Sequence, residues 1–134
     1  MRRQFASLCW SGGGTADRDT FAADFLPGGA ALFPAACPVR SQSVDAFIER
    51  LSALAGTGLH SFHERAPGVT VRAFGNVAVA VAGCEITENG TDVTRGAEML
   101  LLVREEGRWR IAAQGWDTER SGGPLPGDLA SPRP

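Results

Sequence analysis

Between Ser43 and Gly56 the apolar residues Val44, Phe47, Ile48, Leu51 and Leu54 recur every three or four positions, the spacing that lines one face of an α-helix. Ser43 can accept a hydrogen bond from an unpaired backbone N–H of the first turn, and Gly56 stops the pattern, so this segment predicts a helix with both ends marked. A shorter helix is expected from Arg18 to Phe25, with Asp17 as its cap, Phe21, Ala22 and Phe25 on one face, and Pro27-Gly28-Gly29 as its stop. Phe5, Leu8 and Cys9 share helical spacing ahead of Gly12, Gly13 and Gly14 and predict a brief first helix. Ala30 to Phe33, bounded by Gly29 and Pro34, suits only a short strand, and Pro34 to Pro38 a loop.

After Leu59 the period changes to that of strands, punctuated by Pro67-Gly68, Gly75-Asn76, Asn89-Gly90 and Glu106-Gly107. Five strands are expected in series: His60 to Arg65, Val69 to Phe74, Val77 to Thr87, Thr94 to Arg104 and Arg108 to Thr118. Asn89-Gly90 and Glu106-Gly107 suit tight hairpins, which makes the last three strands an antiparallel meander. The fold class is therefore α+β: three N-terminal helices packed on a strongly curved, mostly antiparallel sheet. Residues 1–120 form the expected domain. From Ser121 to Pro134 glycine and proline prevail, and a mobile tail is expected.

In Val77-Ala78-Val79-Ala80-Val81-Ala82 and Met99-Leu100-Leu101-Leu102-Val103 both alternating positions are apolar. A sheet with one face in water would show polar residues at every second position. Both faces must then be covered, and short helices cover one; a second copy packed on the other predicts a homodimer joined through the sheet.

The 134 residues suit one domain, and no run approaches the length needed to span a bilayer as a helix. Basic residues number 13 against 15 acidic, for a net charge of −2, which argues against a nucleic-acid surface. Cys9, Cys37 and Cys84 are odd in number, far apart and without metal-ligand spacing, so neither a zinc site nor a disulfide framework is expected and a reducing cytoplasm is. Arg2-Arg3-Gln4-Phe5 is similar to a twin-arginine export start, but the apolar run behind it contains Ser7 and ends at the glycines. Those glycines lack the following Lys of a phosphate loop. No metal or cofactor is expected.

Phe25-Leu26-Pro27-Gly28-Gly29-Ala30-Ala31-Leu32-Phe33, followed by Ser43-Val44-Asp45-Ala46-Phe47-Ile48, resembles the helix–strand–helix region of the nuclear-transport-factor-2-like superfamily. Gly96 through Leu102-Val103-Arg104-Glu105-Glu106-Gly107-Arg108-Trp109-Arg110-Ile111-Ala112-Ala113-Gln114 is similar to the closing hairpin of its SnoaL-like and ketosteroid-isomerase-like members. The resemblance, over roughly residues 1–119, implies a cone with a pocket between the helices and the concave side of the sheet, commonly in a dimer. The isomerase-like members place an acid where this chain has Gly28 and Gly29, and bind the oxyanion with a tyrosine, a residue absent from this sequence. That mechanism does not carry over.

Candidate chemistry then rests on a few groups. Asp117, beside Trp116 at the end of the last strand, and His63, next to Glu64, are the candidate proton-moving residues. His60 and His63, three apart on a strand, face opposite sides. Gln114 is expected to donate a hydrogen bond and Trp116 to form an apolar wall, with Arg95 and Glu98 as polar contacts or a cross-strand pair with Glu85. Cys84 reads as a small core residue. Trp109, Ile111 and Asp117 share one face of a regular strand and Gln114 and Trp116 the other, unless a bulge at Gly115 resets the alternation. The expected function is binding of a small, largely apolar organic ligand, with cofactor-free isomerase, cyclase or dehydratase chemistry, or else binding or scaffolding alone.

Overall fold

A computed structural model describes residues 6, 8–11, 14–28, 31–34 and 38–131. Helix α1 (Arg18–Ala23) starts at Asp17, whose carboxylate accepts the Thr20 backbone N–H at 3.2 Å. Strand β1 (Ala31–Pro34) leads to helix α2 (Val44–Ala55), capped by Ser43 through the Ala46 N–H at 3.1 Å. Strands β2 (Phe62–Arg65), β3 (Val69–Phe74), β4 (Val77–Glu88), β5 (Asp92–Glu105) and β6 (Arg108–Thr118) follow, then two single turns, α3 (Glu119–Gly122) and α4 (Gly127–Ala130). Of the first expected helix, Ala6 and Leu8 are helical while Phe5 lies outside the described residues. Most of the expected loop from Pro34 to Pro38 lies outside them too.

The sheet runs in the order β1-β6-β5-β4-β2, with β3 also on β4. All pairs are antiparallel except β1 with β6. Strands β2 and β3 both pair with β4, as one edge broken at residues 66–68. The β5–β6 hairpin closes on two residues, and both Glu106 and Gly107 adopt positive φ, as such turns require. Asn89 and Gly90 also have positive φ, but the loop there is three residues, since Glu88 pairs with Asp92. The third residue is accommodated because the Asn89 side chain is engaged: Oδ1 accepts the His60 and Ser61 N–H groups and Nδ2 donates to Gly58.

The core lies between the helices and the concave face of the sheet. Phe21, Ile48 and Leu100 are almost fully buried there, with Trp10, Phe25, Phe62 and Ile111 beside them. Burying each such side chain contributes on the order of 1.5–3 kcal/mol. The N-terminal segment joins this layer through reciprocal Trp10–Phe62 backbone bonds of 2.8 and 2.9 Å and stacked rings 5.2 Å apart.

The expected mobile tail is corrected for residues 121–131. Helix α4 docks on β3 and β4, and Leu129 is buried. A single large apolar residue suffices because Gly68 and Gly83 leave room for the backbone of α4; a Cβ on either would overlap the main chain of Asp128 or Leu129. Gly83→Ala is expected to lower stability by about 1–3 kcal/mol and to expose the last dozen residues to proteolysis. Thermal melts with timed trypsin or elastase digestion check this, and unchanged digestion would contradict the docking.

Candidate functional site

Side chains alternate along a strand, and on the concave face this alternation gathers polar groups from four strands. Strand β2 buries Phe62 and Glu64 and exposes His63 and Arg65. Strand β4 turns Cys84 and Ile86 inward, and β5 turns Glu98 in beside Leu100. On β6 the register slips between Leu101 and Leu102, leaving Ala112 unopposed. This bulge, three residues before the expected Gly115, lets Ile111 and then Gln114 and Trp116 all face inward.

These groups line a cavity of about 240 Å³ roofed by Phe21, Phe47 and Leu51. Phe47 stacks on Phe21 at 5.5 Å and meets Trp116 edge-on at 5.8 Å, which ties the helices to the far strand. At the polar end Gln114 Nε2 donates to Glu98 Oε2 at 2.5 Å, and Glu64 is hydrogen-bonded to Glu98. Glu64 is 7% exposed and Glu98 6%, so neither carboxyl can be solvated by bulk water. Cys9 Sγ accepts the Glu64 backbone N–H at 3.2 Å and so fixes this strand against the N-terminal segment.

Burial pushes the Glu64 carboxyl well above its ordinary value of 4.5, and the charge of Glu98 and the hydrogen bond to it push the same way. Burial also raises Glu98, but the hydrogen bonds from Glu64 and Gln114 oppose the rise. Of the two, Glu64 is the one that burial and its neighbour push toward the protonated form, while hydrogen bonds favour the charged form of Glu98. Burial, with the nearby Glu98 and Glu64, raises the Cys84 thiol and keeps it protonated. Among the described residues, Glu64, Cys84 and Glu98 are also the group whose atoms could hold a metal ion, all within 4.8 Å of one another. Linear spacing does not show this.

The candidate residues named from sequence separate in space. Gln114, Trp116 and Glu98 meet at the cavity. Asp117 borders it, with Oδ1 accepting the Thr118 N–H at 2.8 Å, on the strand face opposite Gln114 and Trp116. Arg95 also borders it, but its Nε donates to Glu85 Oε2 at 2.9 Å, and Arg65 holds the other oxygen of Glu85 at 2.9 Å. His63 is corrected: it is exposed on the outer side of β2, away from the cavity, because Phe62 claims the inward position and the alternation then delivers Glu64. Glu64 is the group that sequence reasoning passed over, although the parity of Phe62 points to it.

No family model and no curated protein sequence matches the chain. Solved structures do. A protein of unknown function with a cystatin-like fold from Nostoc punctiforme superposes with a TM-score of 0.67 at 12% identity, covering 89% of this chain and 85% of that one. The chain has a nuclear-transport-factor-2-like fold. A candidate dehydratase of the nuclear-transport-factor-2-like family from Streptomyces avermitilis gives 0.64 at 13% identity, covering 87% and 88%. A nuclear-transport-factor-2-like protein of unknown function from Pseudomonas putida gives 0.61 at 15%, covering 75% and 72%. Among the described residues no helix is long and apolar enough to cross a membrane.

The carboxyl pair makes stability depend on pH with a definite sign. Glu64 holds its proton more tightly folded than unfolded, so its contribution is complete below 4.5 and is lost as pH rises toward the folded value. Glu85, held low by Arg65 and Arg95, acts oppositely and loses its contribution as pH falls below 4.5. Glu64→Gln imitates the protonated acid and is expected to flatten the decline in unfolding free energy between pH 4.5 and an alkaline pH. Urea titrations at the two pH values check it; an unchanged decline would mean that Glu64 is not the group holding the proton.

Proposed function

We propose that this chain binds a small, largely apolar organic molecule in the cavity and exchanges a proton with it through Glu64 and Glu98. This is acid/base chemistry of the isomerase, cyclase or dehydratase kind. The observation that supports it is a hydrogen-bonded carboxyl pair lining a cavity with aromatic walls, in which Glu64 is pushed toward the protonated form and hydrogen bonds favour the charged form of Glu98. Two such groups with separated proton affinities supply an acid and a base side by side. Glu98 takes the proton, Glu64 returns it or donates a hydrogen bond to developing negative charge, and Gln114 holds Glu98 in place. The neutral Glu64 thereby fills the donor role for which the ketosteroid-isomerase-like members use a tyrosine. An apolar cavity of about 240 Å³ exceeds the ~150 Å³ that admits benzene, so one substituted ring fits.

Deuterium exchange at the acidic carbons of small cyclic ketones, followed by NMR in D2O, tests the reading. Exchange should be accelerated by the protein and fall roughly 10²–10⁴-fold in Glu98→Gln, with His63→Ala unchanged. Saturable ligand binding without exchange would replace catalysis by binding alone. That reading has one observation in its favour, since Glu98 is already engaged by both Glu64 and Gln114.

We also propose that a second copy covers the outer face of the sheet. Val79 is 50% exposed, Met99 61% and Leu101 45%; they lie side by side because Val79 pairs with Leu101 and Val81 with Met99. Phe33 extends the patch across β6 through its pairing with Gly115. Leu101→Asp is expected to halve the mass seen by analytical ultracentrifugation, and an unsubstituted chain that sediments as a single copy would overturn the dimer. Three cysteines far apart in the sequence do not make a disulfide framework, and we place the protein in a reducing compartment, the cytoplasm.

A further inference from the structure

We infer that the cavity selects a ligand ending in a protonated amine, its ring among Phe21, Phe47, Phe62 and Trp116 and its ammonium group against Glu64 and Glu98. The inference rests on the small-molecule reading of this cavity and is independent of turnover. Three observations lead to it. First, the oxygens of Glu64 and Glu98 and the sulfur of Cys84 converge to within 4.8 Å of one another. An ammonium can donate at once to the Glu98 carboxylate, to the carbonyl oxygen of the Glu64 acid and weakly to the Cys84 sulfur, whereas a hydroxyl has one donor.

Second, among the described residues no cation pairs with either carboxyl. Among the described residues the ion pairs go to Glu85 and Asp24, and Arg95 is spent on Glu85 outside the cavity. Arg50 borders the cavity but is exposed on α2, and no arginine is among the neighbours that set the proton affinity of Glu64 or Glu98. A ligand cation would supply the missing charge where water cannot. Third, Phe21, Phe47, Phe62 and Trp116 line the same cavity, and the negative faces of aromatic rings attract cations when both are shielded from solvent. A carboxylate ligand meets the reverse of each condition: like charge at the polar end, and a Gln114 amide already donating to Glu98.

Three probes of one shape and different charge decide the matter: benzylamine, benzyl alcohol and benzoate, titrated calorimetrically into the full chain near neutral pH. Benzylamine is expected to bind at least about tenfold tighter than benzyl alcohol, with benzoate giving no measurable heat. In Glu98→Gln, where the amide keeps its partner Gln114 but loses the charge, the preference should shrink to within about threefold through weaker amine binding. Equal or tighter binding of the alcohol, or tightest binding of benzoate, would overturn the amine while leaving the small-molecule cavity intact. A preference that survives Glu98→Gln would overturn its assignment to the carboxyl pair. If none of the three binds, the cavity reading itself fails. The probe series on the unsubstituted chain stands even if the variant does not fold.

Discussion

Two carboxyl groups buried side by side, with no cation paired to either among the described residues, resist being ionised together, and the site follows from that constraint. The cost of taking an unpaired carboxylate out of water amounts to several kcal/mol. The chain meets it in two ways. Glu64 is held toward its protonated form and hydrogen-bonded to Glu98, and Gln114 donates to Glu98 from the other strand. Removing either partner leaves Glu98 underbonded, so Glu64, Glu98 and Gln114 act as one unit. Because they sit on β2 and on the β5–β6 hairpin, the unit also fixes how these two separate parts of the sheet face one another.

That arrangement depends on two irregularities in the last hairpin. Without the bulge at Ala112, a strand that buries Ile111 would turn Gln114 to the outside and Glu98 would lose its donor. Gly96, opposite Thr118, permits the end of β6 to close over β5; a Cβ there would overlap the Asp117 carbonyl. The site is therefore specified as much by a missing side chain and an extra residue as by the polar groups themselves. Low sequence identity to structures of the same fold is understandable on these terms, since curvature and alternation can be kept while the polar groups change.

Most of the fold was legible because its elements are long and their periods unmistakable. Helix α2 matches the Val44, Phe47, Ile48 and Leu51 spacing, and β6 runs from Arg108 to Thr118 as the alternation and the Glu106-Gly107 turn require. The site was only partly legible. Gln114 and Trp116 could be named as partners, but the bulge that orients them leaves no mark in composition, and the glycine that drew attention, Gly115, is not where it occurs. Arg95 and Glu98, three apart on one strand, necessarily face opposite sides, which separates a surface ion pair from a buried acid. The docking of Leu129 was not readable, because it depends on Gly68 and Gly83 far away in the chain.

The run Val77 to Ala82 carries a further piece of the design. Its alanines, Ala78, Ala80 and Ala82, are buried on the concave side, and its valines, Val77 and Val79, are about half exposed on the convex side. In a strongly bent sheet the concave side chains are crowded together and the convex ones splayed apart. Small residues inside and branched ones outside therefore suit the curvature, whereas the reverse order would fill the cone and open gaps on its back. The same alternation does two jobs. It keeps the concave side slender enough for a cavity to remain beneath the helices, and it gathers the bulky apolar groups on the face where a second copy can bury them. An apolar run with no polar alternation thus encodes two surfaces with different tasks, distinguished by side-chain size and not by polarity.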